Sequence, residues 1–180
     1  MDKEIQAPSI EYCLLGLLGE RPMHGYELHR ELSRKTGLGL IWTVKQAQLY
    51  AILAKLEAEA LIRAEVRVQG NRPARRVFHL SAKGEEVFDA WMGAVAARKD
   101  FRLDFLAKLY FARQGKPEAA RILLSEQRRL CSSWLAEMRE RGASSADRDL
   151  DALVYRFRIG QLESMLAWLD ECSAYIEARA

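Results

Sequence analysis

Apolar positions recur at helical spacing along most of this chain. Pro8-Ser9 followed by Ile10-Glu11-Tyr12-Cys13-Leu14-Leu15-Gly16-Leu17-Leu18 predicts a capped, mostly apolar first helix that belongs to a core. Arg21-Pro22-Met23-His24-Gly25 breaks it. A short second helix is expected over Tyr26 to Thr36, with Leu28 and Leu32 four apart and Gly37 to end it. After a Gly-containing loop to Ile41-Trp42, Thr43 can cap a third helix whose Leu49, Ile52, Leu53 and Leu56 fall at i, i+3, i+4 and i+7.

From Ile62 the period changes to two. Ile62, Ala64, Val66 and Val68 alternate with Arg63, Glu65, Arg67 and Gln69, which predicts a half-buried strand. Gln69-Gly70-Asn71-Arg72-Pro73-Ala74 is a turn, and beyond it Arg76, Phe78 and Leu80 alternate with Arg75, Val77 and His79. The two runs read as a hairpin with Arg76 on the inward side of Phe78. Ser81 then caps a fourth helix with Phe88, Trp91, Met92 and Val95 on one face, and the rest is helical. The fifth helix, near Phe101 to Arg113, is apolar around much of its circumference and is expected at the centre of a second module. A sixth carries Leu123, Leu130, Trp134 and Met138 with Gln127 interrupting the stripe. A last one, from about Asp147, carries Leu162, Met165, Leu166, Leu169, Cys172 and Ile176.

Composition adds where the charge lies. The chain has 180 residues and a formal net charge of +3, but residues 21–83 hold twelve Lys and Arg against five Glu, a balance of +7. A cationic segment inside a nearly neutral protein points to a polyanion-binding face or to a solvated basic surface. Cys13, Cys131 and Cys172 are odd in number and far apart, which argues against a disulfide framework or a zinc site. No apolar run approaches the roughly 20 residues a membrane span needs, and the start lacks a basic-then-apolar leader, so a cytoplasmic location is expected.

Three helices followed by a hairpin with a basic, Gly-Pro-containing tip is the order of a winged helix-turn-helix, in which the third helix enters the major groove of DNA. The expected fold is therefore mainly α with a small β-hairpin: a winged helix-turn-helix DNA-binding domain over 1–83, then a helical dimerisation domain over 84–180. Cys13-Leu14-Leu15-Gly16-Leu17-Leu18, Pro22-Met23-His24-Gly25-Tyr26-Glu27-Leu28, and Leu49-Tyr50-Ala51-Ile52-Leu53-Ala54-Lys55-Leu56-Glu57-Ala58-Glu59-Ala60-Leu61-Ile62 carry a resemblance. Residues 10–83 resemble the N-terminal domain of the PadR family of bacterial transcriptional regulators, and the later helices resemble that family's dimerisation region in element order. Two positions depart: Ala51 stands where the family has Pro, and Ala60 where it has Gly. Without a glycine the exit turn of the third helix is expected to shift by a residue.

The resemblance and the helix pattern together nominate Thr43, Lys45, Gln46, Ala47, Gln48, Tyr50, Ala51 and Lys55 as DNA-contacting, with Ala47, Ala51, Ala54 and Ala58 opposite the leucine stripe. Such small residues let a helix axis approach base edges, and Gln48 can pair with adenine. Tyr50 and the hairpin arginines Arg72 and Arg75 suit phosphates; each of these also has a plain reading as ordinary helix or solvated loop. His24, His29 and His79 have no metal spacing, and no catalytic set stands out, so neither an enzyme nor a cofactor is expected. Trp91, Trp134 and Trp168 are assigned to the helical half. The resemblance implies that they could receive a small apolar or aromatic effector, against core or dimer packing as the alternative. The function so implied is a homodimeric repressor on a double-stranded DNA operator; the rivals are a winged-helix protein-interaction adaptor and a helical small-molecule carrier.

Overall fold

The computed structural model describes residues 9–41, 44–67, 75–97, 101–114, 117–143 and 150–178. Its elements run α1 (Ser9–Glu20), β1 (Met23–His24), α2 (Gly25–Leu32), a 3-10 turn (Gly37–Leu40), α3 (Gln46–Ala58), β2 (Ile62–Arg67), β3 (Arg75–Leu80), α4 (Ala82–Gly93), α5 (Phe101–Ala112), α6 (Pro117–Ala143) and α7 (Leu150–Glu177). The chain divides into two compact units. One comprises Met1–Ala94 with Asp100–Phe111, the other Val95–Lys99 with Ala112–Ala180.

The first unit is built on the succession of Leu-rich helices. Leu14, Leu15, Leu28, Leu32, Leu49, Leu53 and Leu56 are almost completely buried in one cluster with Phe78, so α1, α2, α3 and the sheet share a core. Burial of each such side chain contributes about 1.5–3 kcal/mol. Packing carries this unit past residue 83, where the sequence pattern suggests its end. Helix α4 packs on α1, and α5, expected at the centre of the second module, joins the same core through Ala107 and Phe111. The local reason is Gly16: a Cβ there would come within 2.5 Å of the Phe111 ring, so a bare backbone on α1 admits that ring. Phe111 also meets Phe88 edge-on at 5.2 Å. Trp91 stacks on Tyr12 with ring centroids 5.0 Å apart, and the buried Lys108 lies over its face at 5.0 Å while donating to the Ala94 carbonyl. Burial pushes the Lys108 ammonium below its ordinary pKa, with the nearby Asp104 opposing.

The sheet has three strands in the order β1-β3-β2, all antiparallel. The hairpin is as the alternation predicts, with Ile62 opposite Leu80 and Val66 opposite Arg76. β1 is not legible as a strand from sequence: two residues have no period, and Met23 and His24 are extended because they pair with Phe78 and Val77. That pairing makes β3 the central strand, and both Val77 and Phe78 are buried, so strict alternation fails there. Arg76 lies on the Phe78 side of the strand, its guanidinium over that ring, but at the edge of the core, where its side chain is half-exposed. Along β2, Ile62 is buried and Val66 is 61% exposed, so the strand leaves the core between these two positions.

Helix α2 ends at Leu32, four residues before the expected Thr36, and Gly37 with φ 59° opens the 3-10 turn instead of closing a helix. Helix α3 starts at Gln46 with Lys45 as its N-cap, so its first turn lies later than a Thr43 cap implies. At its other end no shift occurs. Ala60 itself takes φ 59°, its N–H donates to the Glu57 carbonyl at 2.9 Å, and the Leu61 N–H donates to the Leu56 carbonyl at 2.9 Å. This is a complete Schellman closure with alanine in the left-handed position. Ser81 secures it by reaching the Ala60 and Leu61 carbonyls at 2.8 and 2.9 Å while accepting from the Gly84 N–H to cap α4.

In the second unit, α6 and α7 form a long antiparallel pair. Arg128 bonds Asp170 and Arg139 bonds Glu163 across it, over a cluster of Leu135, Met138 and Leu162. Twenty-seven and twenty-eight residues correspond to rods of about 40 Å. Gln127, which interrupts the apolar stripe, is fully buried. Its side-chain amide accepts from the Ala96 N–H at 2.9 Å and donates to the Ala96 carbonyl at 3.1 Å, satisfying a segment that has no helix of its own.

Candidate nucleic-acid interface

Helix α3 buries Leu49, Leu53 and Leu56 and turns Gln46, Ala47, Gln48, Tyr50, Ala51, Ala54 and Ala58 to solvent. The exposed side is thus nearly flat, with amides at its start and methyl groups along its length. Lys45 stands exposed at the N-cap, where the helix dipole adds to its charge. Thr43 and Arg72 lie outside the described residues. Arg75 opens β3.

Beside α3 lies a cleft of about 740 Å³ lined by His24, Gly25, Tyr26, Glu27, Tyr50, Arg76 and Phe78. Helix α2 begins on one wall of it. The Glu27 carboxylate accepts from the His24 N–H at 2.8 Å and pairs with Arg21 at 3.3 Å; the amide, ahead of the arginine, holds that carboxyl below its ordinary pKa. Gly25 is where this helix start meets α3. A Cβ there would lie 2.8 Å from the Tyr50 ring and 2.9 Å from its hydroxyl, so the glycine of the Pro22–Leu28 motif and the tyrosine of the Leu49–Ile62 motif fit against each other. His24 Nδ1 lies 3.0 Å from the Arg76 carbonyl and, as the donor, fixes the imidazole against β3.

Residues 14–90 match the transcriptional regulator PadR-like family, and residues 101–177 match the C-terminal region named virulence activator alpha. Residues 14–90 are thus a PadR-like transcriptional-regulator domain. The family is one of regulators and not of enzymes. The chain is 27% identical over 103 residues to the negative transcriptional regulator PadR of Bacillus subtilis, covering 57% of this chain and 56% of that one. It is 30% identical over 84 residues to a probable transcriptional regulator of Mycobacterium tuberculosis, covering 47% and 43%. The chain therefore spans about half the length of the curated relatives it matches. Among solved structures, that of Bacillus subtilis PadR in complex with operator DNA aligns over 94% of this chain and 99% of that one, at 22% identity and a TM-score of 0.44.

Of the residues nominated on α3, Lys55 is engaged elsewhere. Its ammonium holds the buried Glu11 carboxylate of α1 at 2.8 and 2.9 Å, which raises its pKa through that bond. A pairing across 44 residues leaves no trace in local pattern. The tryptophans also part company. Trp91 is 5% exposed in the core of the first unit, not in the helical half, whereas Trp134 and Trp168 are half-buried on α6 and α7 of the second. Among the described residues no three His, Cys, Asp or Glu could hold a metal ion, and no helix is long and apolar enough to cross a membrane.

Proposed function

We propose that this PadR-like regulator is a cytoplasmic, homodimeric repressor that reads operator DNA. The observation that carries the reading is the exposed Gln-Ala face of α3 beside the basic hairpin. Gln46, Gln48 and the methyls of Ala47 and Ala51 suit base edges in a major groove, while Lys45, Tyr50, Arg72 and Arg75 suit the flanking phosphates. The relation to a negative regulator in Bacillus subtilis supports repression as the sign of the effect. Lys55, committed to Glu11, serves to fix α3 on α1 and not to bind DNA.

Dimer formation is assigned to α7, where Leu153, Val154 and Phe157 expose 57%, 39% and 66% of their surface at helical spacing. An apolar stripe of that kind on a charged helix gains by covering itself with its own copy. The two reading helices of such a dimer meet half-sites about 34 Å apart or a multiple of that. A small apolar or aromatic effector is assigned to Trp134 and Trp168; Trp91 remains a core residue. Sequencing the DNA fragments retained by the protein, with light scattering at micromolar concentration, tests the reading. An inverted repeat and a dimer mass are expected; random fragments or a monomer that DNA does not pair would overturn it.

A further inference from the structure

We infer that Glu57 is a positioning residue for DNA reading: through its ion pair with Arg76 it sets the hairpin against the reading helix. Arg76 sits at a junction. Its guanidinium bonds both Glu57 oxygens, at 2.7 and 2.5 Å, and lies over the Phe78 ring at 5.2 Å, while its backbone carbonyl accepts from His24. Three elements, α3, β1 and β3, therefore meet on one residue, which pairs with Val66 next to the last described pair of the hairpin, Arg67 opposite Arg75. There β2 already exposes Val66, so core packing stops where the junction stands.

At this level of the hairpin the Glu57–Arg76 pair links β3 to α3. The pair is partly exposed, 52% for Arg76 and 33% for Glu57, so its share of global stability is small and its role is one of geometry. It also explains an acid on a helix that approaches a polyanion. Taken alone, Glu57 would be repelled by phosphates, and its removal would strengthen binding to any DNA. If it holds the hairpin at the right distance from α3, its removal weakens binding to the operator while leaving or raising affinity for random DNA. The sign of the effect is opposite in the two cases.

This inference rests on the DNA-reading role proposed above, and the test separates the two. Glu57→Gln removes the charge, Glu57→Asp keeps it but shortens the reach, and Glu59→Gln removes a neighbouring charge whose ion pair is with Lys55. Affinities for the selected operator and for random DNA are measured alongside melting temperature. Both Glu57 variants are expected to lose at least about threefold in operator affinity relative to random DNA, with melting unchanged and Glu59→Gln showing no such loss. In free protein, amide exchange of Val66, Arg76 and Val77 should quicken in the Glu57 variants, with α1 and α2 unaffected. Operator affinity that stays or rises in both Glu57 variants, or unchanged exchange in the hairpin, overturns the inference. A wild-type protein that selects no DNA sequence overturns the DNA-reading role, and the exchange measurement still decides the junction.

Discussion

Replacing Ala60 by glycine should stabilise the protein, opposite to the effect of glycine inside a helix. Ala60 holds φ 59°, and both Schellman bonds, with the Ser81 hydroxyl on its carbonyl, keep it there. A left-handed conformation costs an L-residue about 1–2 kcal/mol that glycine does not incur. Against this, glycine frees the unfolded chain by about 0.4–1 kcal/mol. The net gain is then about 0.5–1 kcal/mol. It should raise the melting temperature by about 1–4 °C if the chain melts as one body of this size, and by about twice that if the first unit melts alone. Calorimetry together with a urea midpoint gives the answer, the slope of the urea transition staying constant so that the shift reports stability. Ala58→Gly is the companion variant. Ala58 is exposed in the last turn of α3, where glycine should cost about 1 kcal/mol. An Ala60→Gly protein that becomes less stable, as Ala58→Gly does, would refute the argument that the exit of α3 is strained.

Ala51→Glu, on the exposed side of α3, should leave melting nearly intact and abolish operator binding; unfolding or wild-type affinity would exclude this face as the reading surface. Arg72→Ala with Arg75→Ala should weaken binding to all DNA sequences alike and reduce the salt slope by about one for each phosphate left without its arginine, as read by titration at several ionic strengths. Glu27, whose carboxyl is held low mainly by the His24 amide, stabilises the fold above the ordinary glutamate range, and that contribution disappears as pH falls through its depressed value. The melting difference between wild type and Glu27→Gln should therefore be constant near neutrality and shrink below about pH 4, where glutamates protonate.

What the sequence makes legible is whatever repeats at a fixed interval. Leu49, Leu53 and Leu56 mark the inner side of α3 by spacing alone, and the exposed alanines follow as their complement. The hairpin is equally plain in its alternation at Ile62 and Ala64. Pairings made across the fold are not so written. β1 exists only because β3 is beside it, and the burial of Val77 depends on that third strand. Helix α5 is apolar all round, which states that it is buried but not by what; the small Gly16 on a distant helix decides. Lys55 looks like a free cation on a DNA-facing helix until Glu11 is brought to it, and Trp91 joins the earlier unit because Tyr12 offers a ring to stack on.

The meeting of Gly25 and Tyr50 has a consequence for how this protein can change over generations. A side chain at position 25 meets the far end of the half-exposed Tyr50 ring, so enlarging the first obliges the second to turn further into solvent. Shrinking the second alone opens a gap and uncovers the start of α2. The two codons, twenty-five apart, thus behave as coupled inherited choices, a change at one altering the room left to the other.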